Sequence, residues 1–234
     1  MRYLTIILAI SISLFLIGFH PVNLSSAPAA TSIQDQDANI GFQWAFGAMI
    51  GSDKKFVSIT HDTTLKSGDE VKMMVQLSKD CFVYVMYYGA NTKEVQMLFP
   101  NKLRQFQDDY TTGKNYYIPA GRSWIELDQH PGKETFFLLA SSERLLDIEA
   151  KYGDYLSADA SKKPELAEAL VAEIRTVRKH YATFATLAEK PISIGGNIRG
   201  TEKVEEKRRH DVSEIATEIT AKNFYSKTFT IDHQ

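Results

Sequence analysis

Phe82-Val83-Tyr84-Val85-Met86-Tyr87-Tyr88 is the stretch on which the reading of this chain turns. Every position in it is apolar or aromatic, and three are β-branched or Met beside aromatic rings. A strand exposed on one face would alternate with polar residues. An unbroken run of this length suits a central strand covered on both faces. Cys81 stands just before it and Gly89-Ala90-Asn91-Thr92-Lys93 follows as turn chemistry. Glu94 to Phe99 then reads as a return strand, ended by Pro100-Asn101, since proline cannot donate to a ladder.

Upstream, Val71, Met73, Val75 and Leu77 alternate with Lys72, Met74, Gln76 and Ser78. That period of two predicts a strand with one buried face. It follows Ser67-Gly68-Asp69, a turn in which Gly68 can take a positive φ. Phe42, Trp44, Phe46, Ala48 and Ile50 alternate in the same way, and Phe56 to Thr60 is a further short strand. Downstream, residues 101–115 are polar and predict a long loop. Tyr116 to Pro119, Trp124 to Leu127 and Glu134 to Ala140 are strands separated by the turns Ala120-Gly121-Arg122-Ser123 and His130-Pro131-Gly132-Lys133. Strands at this spacing predict a mainly β chain, an antiparallel Ig-like β-sandwich.

The periodicity changes after Ser141. Leu166, Leu170, Ile174, Val177, Tyr181, Phe184 and Ala188 recur at steps of three and four. Ser161 as cap, Pro164 in the first turn and Pro191 as terminator predict one long amphipathic helix over 161–189, packed on the sandwich. Its acidic residues lie early and its basic ones late, which complements the helix dipole. Ile192 to Ile194 reads as a short strand and Thr201 to Asp211, dense in mixed charge, as a solvated loop or helix that Ile215 to Ile219 could extend. Phe224 to Ile231 closes the chain as a strand with Tyr225, Phe229 and Ile231 on one face.

The N-terminus carries Arg2, an apolar run from Leu4 to Phe19, and then Ser25-Ser26-Ala27-Pro28-Ala29-Ala30. A positive charge, an apolar core and a small-x-small exit predict a signal peptide, residues 1–29, cleaved after Ala29. A cut after Ala27 would place Pro28 beside the scissile bond. The rival is a retained anchor, in which case this segment is the chain's contact with the membrane. The run sits at the lower limit of about 17 residues for a span. No Cys follows it to carry a lipid. Residues 30–39 are then a loose polar N-terminus, and 40–234 form a single domain around a core block, 60–145. Cys81 is the only cysteine, so no disulfide forms within the chain. Export without disulfides fits a bacterial envelope or secreted protein with a core large enough to stand alone.

The formal net charge is −2, and about −3 once Arg2 leaves with the leader, which gives no pull towards nucleic acid. The run Lys207-Arg208-Arg209-His210 is balanced by Glu202, Glu205, Glu206 and Asp211. No cofactor, metal or catalytic motif stands out. Gly195-Gly196 lacks phosphate-loop spacing, and Ser141-Ser142 lacks a nucleophile elbow. His61-Asp62 and His130-Pro131-Gly132 read as turns, and Asp108-Asp109 lacks a third ligand. Long loops carry binding work, so Phe106, Tyr110, Tyr116 and Tyr117, around the 101–115 loop, form the candidate binding surface. The alternative use of those rings is to pack the loop down.

The middle block also resembles a bacterial family, domain of unknown function 4384. The likeness rests on Leu65-Lys66-Ser67-Gly68-Asp69, Phe82-Val83-Tyr84-Val85, Leu98-Phe99-Pro100-Asn101, Ile118-Pro119, and Pro131-Gly132-Lys133-Glu134 leading into Leu139-Ala140-Ser141. It covers about residues 60–145, with Cys81 where a small polar residue or Gly is expected. The resemblance implies an exported or envelope-associated setting and attaches no activity and no catalytic residue. The expectation is a non-catalytic module for a protein or glycan partner in the cell envelope. The alternatives are a hydrolase assembled from distant residues such as His61, His130 and Asp108, and a structural subunit that assembles through its helix.

Overall fold

Alternation in the first strand sets the architecture. In the computed structural model, which describes residues 39–182, 187–191 and 210–234, β1 (Ile40–Ile50) buries Phe42, Trp44, Phe46 and Ala48 in the main core. Its neighbours in sequence order are β2 (Lys55–Ser58), β3 (Thr63–Leu65), β4 (Glu70–Leu77), β5 (Phe82–Gly89) and β6 (Glu94–Phe99). Then come α1 (Gln105–Asp108), β7 (Asn115–Ile118), β8 (Ile125–Glu126), β9 (Gly132–Ser141), α2 (Leu146–Ser157) and α3 (Lys163–Ala182). β10 (Leu187–Pro191), a 3-10 turn (Val212–Ile215), β11 (Thr217–Ala221) and β12 (Phe224–His233) complete the chain. These residues all fall within one compact unit, Ile33–Gln234.

Among the described residues the strands form two sheets. Sheet A has seven, in the order β10-β11-β1-β4-β7, with β2 also on β1 and β8 also on β4. Sheet B has five, in the order β3-β12-β9-β5-β6. All described pairings are antiparallel except β3 on β12. Inward residues of both sheets share one apolar cluster: Phe42, Trp44 and Phe46 of β1, Met73 and Val75 of β4, Val83 and Val85 of β5, Leu138 of β9, and Phe229 and Ile231 of β12. The rings meet edge to face, with Phe46 at 5.2 Å from Phe136 and 5.5 Å from Phe229.

The expected double coverage of β5 is present. Its other face places Tyr84 and Met86 in a second cluster with Val95, Met97, Phe137 and Leu139, closed by Ile148 and Tyr155 of α2 and Leu170, Val171 and Ile174 of α3. Arg178 of α3 adds polar anchors on β12, Nε to Ser226 Oγ at 3.2 Å and Nη1 to Thr228 Oγ1 at 2.7 Å. A third, small cluster covers the outer face of sheet A, where Ala45 and Met74 meet Val212 and Ala216.

Several sequence expectations need correction. The helix begins at Lys163 and ends at Ala182, short of the expected 189, and Pro191 closes a strand. Residues 187–191 pair with 217–221 instead, a partner that helical periodicity cannot see because it lies at the far end of the chain. The 215–219 stretch is not helical beyond Ile215; it turns and enters β11. Helix α2 is absent from the sequence expectations, although Ile148, Tyr152 and Tyr155 stand at helical spacing. The four-residue α1 interrupts the 101–115 loop. Residues 1–29, read above as a leader, residues 30–38, Phe184, the expected strand at 192–194 and the charged run 201–209 lie outside the described residues. Among the described residues no helix is long and apolar enough to cross a membrane.

Two hydroxyl networks fasten α2. At its start, the Tyr84 hydroxyl donates to Glu149 Oε1 at 2.6 Å and accepts from the Leu145 N–H at 3.0 Å, while Arg144 clasps the same carboxylate. Glu149 is buried, so losing a donor there is costly. Along its length, α2 covers the free edge of sheet B. The outward N–H groups of Val95 and Met97 in β6 donate to the hydroxyls of Tyr155 at 3.3 Å and Tyr152 at 3.1 Å. An uncovered edge strand would be a template for pairing with another chain.

Tyr84→Phe is expected to lower stability by about 1–3 kcal/mol, read as a fall in the chemical denaturation midpoint with an unchanged slope. The double variant Tyr152→Phe/Tyr155→Phe is expected to lose about as much and to associate with rising concentration. Light scattering checks the second part; a variant that stays monomeric at every concentration would show that the hydroxyls do not guard the edge.

Candidate functional site

The loop between β6 and β7, with the strand it leads into, carries the four aromatic residues of the candidate binding surface, and the fold packs each against a layer beneath it. Phe106 joins the helix-side cluster, 5.2 Å from Phe82 and from Tyr84, with Arg144 5.8 Å from its ring centre. Tyr110 packs on the main core, and its hydroxyl accepts from the Val83 N–H at 2.8 Å. Burial pushes its phenol far above the usual tyrosine range. Tyr116 is buried in the main core and its hydroxyl accepts from the Thr111 N–H at 2.6 Å. Adjacent Tyr117 points to the opposite face of β7, next to Ala45 and Met74, and donates to Asp211 at 3.1 Å. Phe106, Tyr110 and Tyr116 nevertheless touch in series, with ring centres 4.9 Å apart for the first two and 6.1 Å for the last two, while Tyr117 lies on the other face of β7.

What the loop does frame is a cleft. β6 is the last strand of sheet B and β7 the last on the main path of sheet A, so both sheets end on this side. A cavity of about 1020 Å³ lies between the two edges. Its floor is Leu98, Phe99, Tyr116 and Ile118; amides and charges from Gln96, Asn101, Gln105, Asn115, Asp109 and Lys114 surround it. Lys114 Nζ bridges to Asp109 at 2.6 Å, so two of these charges offset each other. That mixture of apolar floor and convergent polar groups is the ordinary make-up of a ligand site.

A buried lysine fixes the far wall. Lys72, on β4, donates to the carbonyl oxygens of Pro119, Gly121 and Ser123 and lies 5.4 Å from the Tyr117 ring centre. Three carbonyls satisfy an ammonium that sheet A removes from water. The turn before β4 is held by Asp69, whose Oδ1 accepts from the Gly51 N–H and Oδ2 from the Lys66 N–H, both at 2.8 Å. Gly68 there has φ +85°, the left-handed conformation expected of it.

A second cavity of about 200 Å³ adjoins the first and shares Gln96, Leu98 and Ile125 with it. Val71, Leu127, Phe136 and Ile231 make its walls; Glu126, Asp128, Glu134, Tyr87 and His233 bring polar groups to it. Tyr87 donates to Glu134, and burial followed by that bond raises the Tyr87 phenol. The N–H and ring of His130 hold the Asp128 carboxyl below the usual carboxylate range. Sequence reasoning missed this cavity because its walls come from six strands and the turn before β9.

The residues considered for a hydrolytic site each have a local partner. His61 Nδ1 meets Thr60 Oγ1 at 3.0 Å, His130 Nδ1 meets Asp128 Oδ2 at 3.1 Å, and Asp108 pairs with Arg104 at 3.4 Å. Among the described residues no group of three or more His, Cys, Asp or Glu is placed to hold a metal ion. Leu166, Leu170, Ile174, Val177 and Tyr181 of the helical stripe pack in the second cluster, against sheet B. Cys81 lies in the main core, its Sγ 3.7 Å from the Gly41 carbonyl, and burial pushes its thiol up to about 11.

The folded chain is therefore expected to resist a thiol reagent at pH 8, where the thiolate fraction falls about a hundredfold or more below that of a free cysteine with its thiol near 8.5. Labelling in denaturant should be immediate. Rapid labelling of the native protein would show that Cys81 is reachable.

Residues 64–144 match the model of the family described as Domain of unknown function (DUF4384), and this part of the chain belongs to it. The match runs from β3 to just before α2 and contains the whole lining of the larger cleft. No curated protein and no solved structure matches the chain.

Proposed function

With residues 64–144 taken as a DUF4384 domain, we propose that this chain is an exported bacterial envelope or secreted protein with a non-catalytic binding module. In this reading the two sheets close as an Ig-like sandwich with α3 docked on it, and a protein or glycan partner occupies the cleft between β6 and β7. One observation carries the reading: a cavity of about 1020 Å³ opens where both sheets end, floored by apolar rings and ringed by amides. The loop aromatics then serve the site by holding its frame in place, since a preformed cleft costs a ligand less to enter. Export rests on the leader read in the first 29 residues.

Two measurements test this. A photoreactive residue at Asn101 or Gln105, in the full chain in its native envelope, is expected to capture one reproducible partner, while the same group at Asp159 captures none. Identical patterns from the cleft and from Asp159, or none from either, would remove the cleft from consideration. N-terminal sequencing of the purified native protein is expected to begin at Ala30. A chain that keeps Met1 would count against cleavage and in favour of a retained anchor.

A further inference from the structure

Two sheet edges bound the larger cleft, and the chain treats them differently. On β6 the outward N–H groups of Val95 and Met97 donate to the Tyr155 and Tyr152 hydroxyls. On β7 the outward groups follow from strand parity. The carbonyls of Asp69, just before β4, and Leu77, at its end, accept from the N–H groups of Leu127 and Gly113, both at 2.8 Å. Odd-numbered residues of β4 therefore turn their backbone groups towards β7 and β8. The Ser78 N–H donates to the Gly41 carbonyl at 2.9 Å, which sets the even-numbered residues towards β1. Met73 and Val75 pair with Ile118 and Tyr116, so these two spend their N–H and C=O groups on β4. Asn115 and Tyr117 direct theirs away from the sheet, and among the described residues those backbone groups have no partner. Both residues line the cavity of about 1020 Å³.

We infer that β7 receives an extended segment of a protein partner as an added antiparallel strand, an inference that rests on the cleft being a binding site. Outward groups recur along a strand every two residues, about 7 Å apart. A second extended backbone matches that spacing donor for acceptor. All described pairings of sheet A are antiparallel, and the same geometry gives Asn115 and Tyr117 one bonded partner residue each. Side chains of directly opposite residues share a face. Segment residues opposite Tyr116 and Ile118 therefore turn to the apolar floor with Leu98 and Phe99, and are apolar. Those opposite Asn115 and Tyr117 turn to the other face, and are polar. Four of the five charged residues of the cleft pair off, Arg104 with Asp108 at 3.4 Å and Lys114 with Asp109 at 2.6 Å, so charge selects little. The edge faces β6 and the 101–109 turn across the cavity; a single strand can reach it where the flank of a folded second copy would meet those walls.

The test follows amide hydrogen exchange by NMR in the full chain, with the acetylated, amidated peptide Ser-Val-Ser-Val-Ser as probe. At about ten times its Kd the peptide is expected to slow exchange at Asn115 and Tyr117 about tenfold, and to leave Tyr116 and Ile118, already bonded to β4, unchanged. N-methylation of its serines removes the N–H groups that face β7 and should abolish the effect; N-methylation of its valines should preserve it. No protection by the parent peptide, or equal protection by both methylated forms, overturns the inference. Protection that grows with protein concentration in the absence of peptide would put a second copy on the edge and overturn the choice of occupant. Cross-linking from Asn101 and Gln105 reads the cleft separately. Capture there without amide protection sinks this inference alone and leaves the cleft to a glycan or a folded surface; failure of both removes the binding reading as well.

Discussion

Strand β5 must bury both of its faces, and most of the molecule follows from that requirement. Val83 and Val85 point into the core shared by the two sheets, while Tyr84 and Met86 point away from it. Each large side chain contributes about 1.5–3 kcal/mol when taken fully out of water. Leaving either face open would forfeit several such contributions. Sheet A covers the first face, and α2 with α3 cover the second. The chain has one cysteine and no disulfide, so this layered burial, and not cross-linking, holds it together.

Burial of that kind creates a polar problem at the sheet ends, and the chain answers it locally. The Tyr84 hydroxyl sits inside the second cluster because Glu149 and the Leu145 N–H give it partners. Tyr152 and Tyr155 do the same for two backbone donors of β6. Lys72 survives in a buried position because three carbonyls of the β7–β8 turn converge on it. Each device fixes a loop or an edge as a by-product. The result is a hydrogen-bonded frame on the side where β6 and β7 end, and the proposed site occupies the space that frame leaves open. Among the described residues Trp44 Nε1 is the exception, a buried donor without a partner.

The likeness to DUF4384 covers 64–144, yet that segment does not close either sheet. In sheet A, β1 lies between β4 and β11, and in sheet B, β12 lies between β3 and β9. The flanks therefore complete a core that the family segment begins, while the whole lining of the larger cleft stays inside the segment. The smaller cavity is different: Ile231 and His233 reach it from β12, outside the match.

The residues themselves determined the strands. Uninterrupted apolar runs and period-two alternation marked β1, β4, β5 and β12, because side-chain direction in a strand depends only on parity. Gly68 announced its turn, since few other residues tolerate its backbone. The shared face of Tyr225, Phe229 and Ile231 was legible for the same reason as the strands, and all three are buried in the main core. What the tertiary structure alone decided is where each aromatic around the 101–115 loop goes. Phe106, Tyr110, Tyr116 and Tyr117 look alike in sequence, but the first three stack in series between the helix-side cluster and the main core while Tyr117 faces the other way, because the layers that receive them are built from residues tens of positions away. The end of α3 and both cavities were decided likewise. Local periodicity reports which face of an element is apolar; it carries no information on which distant element will cover that face, or where two sheets fail to meet.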